Sequence, residues 1–161
     1  MTKRENLRIR DPFIFVRDNK YYLLGTTGTD PWIKGSDLIL YESEDLENFR
    51  EKCAMVKKEY LEGYTNIWAP ELHEYKGKYY LIFSVFKEEK GRGSIIFVSD
   101  DLNGNFKPLT GEYVTPQNWG ASTPRCLSSA ARLIYVFQTN GPPRSRATET
   151  AVYLSRGFPT I

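Results

Sequence analysis

The chain lacks most of what the commonest catalytic and binding designs need. Its 161 residues hold one histidine, His73, and two cysteines, Cys53 and Cys126. One imidazole and two distant thiols make neither metal-ligand spacing nor a disulfide framework. No cofactor and no metal are expected. No apolar run approaches the length of a bilayer span, and the start, Met1-Thr2-Lys3-Arg4-Glu5-Asn6, has no apolar leader core. The reading is a soluble, cytoplasmic protein with no membrane partner. Lys and Arg number 22 against 20 Asp and Glu, a net charge of +2. That balance gives no basic surface for a nucleic-acid partner. Sustained helical periodicity is also missing, as is the Trp-Asp dipeptide of the commonest propeller repeats.

What is present is a hairpin with a carboxylate at its mouth. Ile9-Arg10-Asp11-Pro12-Phe13-Ile14-Phe15 runs into Asp18-Asn19 and then Lys20-Tyr21-Tyr22-Leu23-Leu24-Gly25. Strand, two-residue turn, strand is the pattern of a β-hairpin. Pro12 removes a backbone donor and so fits the start or edge of a sheet. Asp11 has two readings at this point. It caps a turn or pairs with Arg10, or it faces a cavity as an ionised carboxylate.

The hairpin recurs. Ala69-Pro70-Glu71-Leu72-His73-Glu74-Tyr75, Lys76-Gly77 and Lys78-Tyr79-Tyr80-Leu81-Ile82-Phe83 repeat it at an offset of 58 residues, as Pro12 to Pro70 and Tyr21 to Tyr79. The following strands repeat as well: Leu38 to Ser43, Asp45-Leu46 and Phe49 return as Ser94 to Ser99, Asp101-Leu102 and Phe106. A unit of this length, with about four short strands, is the signature of a propeller blade. By the offset, Ala69 stands where Asp11 stood and Glu71 where Phe13 stood. Side chains two apart share a face of a regular strand, which would aim Glu71 to the side of the Asp11-equivalent position. His73 reads as a structural histidine. Trp32 follows the loop Gly25-Thr26-Thr27-Gly28-Thr29-Asp30-Pro31, where it either stacks on a sugar or plugs a sheet edge. Glu42 to Phe49 reads as a polar turn between outer strands.

In order and spacing, Arg10-Asp11-Pro12, Trp68-Ala69-Pro70-Glu71-Leu72, Lys78-Tyr79-Tyr80-Leu81 and Thr115-Pro116 before Trp119 resemble the family 43 glycoside hydrolases. These are five-bladed β-propellers that cleave arabinosides and xylosides. The resemblance covers about residues 8–119 and implies an all-β fold, with blades one and two over residues 1–119. It implies hydrolysis of α-L-arabinosidic or β-xylosidic bonds with inversion, and a carbohydrate partner. Asp11 falls on the family's general base. A second aspartate opens the third blade, and a glutamate on a later blade is the general acid. Trp68 and Glu71 are placed near the sugar, with Phe13, Trp32 and Trp119 as further substrate-binding candidates. Inversion needs one carboxylate to activate water and a protonated one for the leaving oxygen, about 6.5–9.5 Å apart. Separate blades meeting at one axis hold such a gap rigidly. Two other readings stay open: another five-bladed glycosidase of β-fructosidase type, and a sugar-binding or non-functional product.

Near Trp119 the chain departs from the pattern. Residues 119–161 carry five arginines, one glutamate and neither lysine nor aspartate. Leu133 to Phe137 suits a strand, but no third hairpin is evident. Shifting the frame back by one base, with a free choice among synonymous codons, restores a hairpin over Ala121 to Thr160. Its aspartate precedes its first tyrosine by 11 positions, as Asp11 precedes Tyr22. The expectation is an aberrant, frameshifted tail over 120–161 in place of a third blade, and a chain inactive by itself.

Overall fold

The computed structural model describes residues 1–27 and 37–115 in full, and the backbone alone of 121–129, 132–139 and 149–154. The chain is built from antiparallel sheets. Strands β1 (Thr2–Lys3), β2 (Arg10–Arg17), β3 (Lys20–Thr26), β4 (Ile39–Ser43) and β5 (Asn48–Ala54) form the first sheet, ordered β1-β5-β4-β3-β2. The second sheet is β6 (Thr65–Tyr75), β7 (Lys78–Lys87), β8 (Gly91–Ser99) and β9 (Lys107–Pro108), in chain order. The third is β10 (Ala121–Ser129), β11 (Arg132–Thr139) and β12 (Glu149–Leu154).

Both expected hairpins are present, and their turns agree in detail. Asp18 and Asn19 have φ of 50° and 57°, and Lys76 and Gly77 have 49° and 75°. Positive φ at both central residues is the type I′ pattern, whose twist matches that of the flanking strands. The polar turn between outer strands is built on Asp45. Its Oδ1 accepts the Glu47 and Asn48 N–H groups at 2.8 and 2.7 Å, and its Oδ2 accepts the Asn48 side-chain amide at 2.8 Å. Those donors, the Asn48 amide first, hold the Asp45 carboxyl well below the ordinary carboxylate range.

The core lies between the first two sheets. Tyr22, Leu24, Leu38 and Leu40 from the first pack with Leu72, Leu81, Phe83, Val85, Ile95 and Phe97 from the second. Phe15 meets Tyr22 and, edge-on, Tyr79. Alternation along β7 and β8 sends Tyr80, Ile82 and Ile96 to the opposite face, against which the backbone of β10 lies. On β2 the same alternation leaves Ile14 and Val16 exposed, on the side away from this core.

The structure differs from the sequence reading at the tail. The stretch Leu133 to Phe137 does lie in a strand, β11, but it has partners on both sides, and β10 with β11 makes the hairpin that was not expected. The cause is visible in the ladders. In β2 the register steps from Arg10↔Thr26 to Phe13↔Leu24, in β6 from Trp68↔Ser84 to Glu71↔Ile82, and in β10 from Ser122↔Gln138 to Arg125↔Val136. Each step skips one residue, which is a β-bulge. Each bulge holds an X-Pro pair: Asp11-Pro12, Ala69-Pro70 and Thr123-Pro124. Proline is tolerated there because a bulged residue owes no ladder hydrogen bond. The third unit keeps this spacing, with Thr123 where the first has Asp11 and the second Ala69, and with the single Tyr135 on β11 in place of the tyrosine pairs of the first two.

Candidate active site

The bulges decide where the functional groups go. Asp11 and Ala69, equivalent by the 58-residue offset, both have positive φ, 49° and 48°. A non-glycine residue seldom adopts this region, and two adopting it at matched positions mark a built feature. At Asp11 the bulge turns an exposed carboxylate out at the strand mouth. Thr26, opposite Arg10 on β3 and only 2% exposed, donates its hydroxyl to Asp11 Oδ2 at 3.1 Å. The same Oγ1 accepts the Ala69 N–H from β6 at 2.9 Å. Asp11, Thr26 and Ala69 thus form one chain of hydrogen bonds across two sheets. Sequence reasoning missed Thr26, because nothing local marks a threonine at a strand end as a partner of a residue 43 positions away.

Placing Glu71 by alternation required a regular strand, and β6 is not regular there. The bulge between Trp68 and Glu71 breaks strand regularity, so a residue two past Ala69 does not inherit its face. Glu71 is buried at 6% exposure, and its Oε2 lies 3.1 Å from His73 Nε2. The His73 ring lies 5.2 Å from that of Phe13, tilted by 56°. Phe13 is half-buried against the main core. Glu71, His73 and Phe13 therefore join β6 to β2 beside the Asp11 chain.

Trp68 is half-buried, with the Arg92 guanidinium 3.7 Å from its ring centroid, a cation–π stack. Arg92 also donates to Ser84 Oγ at 3.0 Å and to the Asn66 carbonyl at 3.4 Å. Burial pulls the Arg92 pKa below its ordinary value. One face of the indole is thereby covered. Trp32 and Trp119 lie outside the described residues. Among the described residues no group of three or more His, Cys, Asp or Glu is placed to hold a metal, and no helix is long and apolar enough to cross a membrane.

The sequence matches the model of Glycosyl hydrolases family 43 over residues 6–151. The chain belongs to glycosyl hydrolase family 43. No curated protein matches it. Among solved structures it is similar to an endo-arabinase from Bacteroides thetaiotaomicron VPI-5482, at 27% identity and a TM-score of 0.73, over 96% of this chain and 58% of that one. It is also similar to an endo-1,4-beta-xylanase from the same organism, at 21% identity and a TM-score of 0.70, over 92% of this chain and 47% of that one. A family 43 β-xylosidase/α-arabinofuranosidase from a compost microbial metagenome, solved with xylotriose, matches at 19% identity and a TM-score of 0.66, over 85% of this chain and 44% of that one. The family 43 chain therefore spans about half the length of the structures it matches, and its sheets follow their propeller fold.

Proposed function

We propose that this family 43 chain carries the general base of an inverting glycosidase acting on α-L-arabinosidic or β-xylosidic bonds, and that Asp11 is that base. The observation that carries the proposal is the Asp11 bulge. An exposed carboxylate at the mouth of the first inner strand has one oxygen occupied by Thr26, and Oδ1 has no hydrogen bond among the described residues. A general base needs such an oxygen to take a proton from water. The family membership and the arabinan- and xylan-directed names of the similar structures support the substrate class. Asp11 needs a protonated partner carboxylate about 6.5–9.5 Å away. Glu71 is a poor candidate, since its carboxylate is buried and hydrogen-bonded to His73. The complete enzyme in this proposal combines these sheets with that second carboxylate, and residues 1–161 alone give no turnover. Release of 4-nitrophenol from aryl arabinoside, xyloside and fructoside substrates tests both parts. Preferred cleavage of the fructoside by the complete enzyme would move the assignment to the β-fructosidase reading. Turnover by the 161-residue chain that survives Asp11→Asn would overturn the proposal.

The shifted-frame reading of residues 120–161 has a structural observation in its favour. The β10 bulge holds Thr123 where the β2 bulge holds Asp11, and one base back the bases of the Ser122 and Thr123 codons allow aspartate. The backbone of β10 to β12 and a family match running to residue 151 hold for the residues as written. The nucleotide sequence around the Gly120 codon decides. The expected result is an alternative frame that encodes aspartate at this bulge and stays open past the Ile161 codon. An early stop in that frame would remove the reading.

A further inference from the structure

We propose that Thr26 is the positioning residue for the Asp11 carboxylate, with the direction of its hydroxyl proton fixed by the Ala69 N–H of the neighbouring sheet. The catalytic consequence rests on the assignment of Asp11 as general base.

The polarity follows from donor counting. A threonine hydroxyl has one proton and two lone pairs, while a backbone N–H can only donate. The Ala69 N–H lies 2.9 Å from Thr26 Oγ1, so Oγ1 is the acceptor there. Its single proton is left for Asp11 Oδ2, 3.1 Å away. Thr26 is 2% exposed, so bulk water does not compete for that hydroxyl. An isolated threonine would rotate freely between partners. This one has a single arrangement that satisfies both neighbours.

The Ala69 N–H is available because of the β6 bulge. Pairing with β7 steps from Trp68 to Glu71, which leaves Ala69 and Pro70 without ladder partners. Pro70 has no N–H to place, so Ala69 supplies the backbone donor of this X-Pro pair, and it reaches across to the first sheet. The bulge therefore serves two ends in the repeat. In β2 it presents a carboxylate, and in β6 it presents an N–H that orients that carboxylate through Thr26. Orientation of Asp11 is thus tied to how the second sheet seats on the first. With Oδ2 held, Oδ1 is the oxygen left for the nucleophilic water.

Amide hydrogen exchange and carboxyl carbon NMR of the 161-residue chain test the relay without any need for turnover. In the unmutated chain the Ala69 amide is expected to be protected despite lying outside the ladder. Exchange at the unprotected rate would overturn the proposal before any variant is made. Thr26→Val should speed Ala69 exchange by about ten-fold, the order of one hydrogen bond, while the Leu72 and Leu81 amides stay as they were. It should also move the carboxyl carbon signal of Asp11, assigned by its disappearance in Asp11→Asn. Thr26→Ser keeps the hydroxyl and should restore both readouts, which loss of packing at Thr26 would not explain. Unchanged Ala69 exchange and an unmoved Asp11 signal in Thr26→Val would sink the relay. In the complete enzyme, Thr26→Val should lower kcat by about ten-fold with KM unchanged, and Thr26→Ser should recover it. If the amide and carboxyl signals respond but kcat does not, the relay stands and the general-base assignment of Asp11 falls.

Discussion

Asp11→Asn is expected to lower the turnover of the complete enzyme on aryl arabinoside or xyloside substrates by about 10²–10⁴, with little change in KM. That range is the usual contribution of a positioned general base. The substitution isolates the chemistry, because the surroundings of Asp11 tolerate an amide. Asn accepts the Thr26 proton through its side-chain oxygen as the carboxylate does, and asparagine is among the residues that best tolerate positive φ, here 49°. The backbone of the bulge and the Thr26–Ala69 hydrogen bond should persist, so the melting temperature should stay close to that of the parent. What disappears is the ability to take a proton from water. A loss of both turnover and stability would mark Asp11 as a structural cap. Near-normal turnover with an unchanged fold would remove it from the mechanism, and the acid–base pair would have to be sought on other strands.

Much of the scaffold was legible because it is repeated. The two hairpins were visible in their turn dipeptides and in aromatic strands 58 residues apart, and the structure shows type I′ turns at both sites. The equivalence of Asp11 and Ala69, inferred from the offset alone, reappears as matched positive φ values. The bulges were not legible. A bulge adds one residue to one strand of a pair, and only the partner strand shows that the count is uneven. That is why alternation could not be carried from Ala69 to Glu71 and why the availability of the Ala69 N–H could not be foreseen. Thr26 was hidden for the same reason, since its role depends on two sheets meeting. The third hairpin was overlooked because its first strand, the nine residues Ala121–Ser129, is mostly small and polar, while its Thr123-Pro124 pair keeps the unit's bulge spacing. Trp68 was expected beside the sugar, and no local pattern signalled that Arg92, 24 positions on, would stack on its ring.

Phe83→Ala is expected to cost about 3–5 kcal/mol of stability, which for a domain of ordinary stability, about 5–15 kcal/mol, is a large share of the whole. Phe83 is fully buried, and its ring stacks on Phe97 at 5.4 Å and 26°. It belongs to the cluster that Tyr22, Leu24, Leu38 and Leu40 enter from the first sheet. Truncation leaves a cavity between two sheets whose backbones are each fixed by their own ladders, so the walls have little freedom to close in. Phe83→Leu keeps most of the volume and should cost less than about 1.5 kcal/mol. Val16→Ala, at a site 59% exposed, should stay within about 0.5 kcal/mol. Urea titration of the three variants separates them by midpoint at a common slope. A loss below about 1 kcal/mol for Phe83→Ala would mean that the two sheets do not depend on this core for their seating. The site depends on that seating as well. The Thr26–Ala69 hydrogen bond bridges the two sheets, so a chain that loses the Phe83 core should lose Ala69 protection in the same transition.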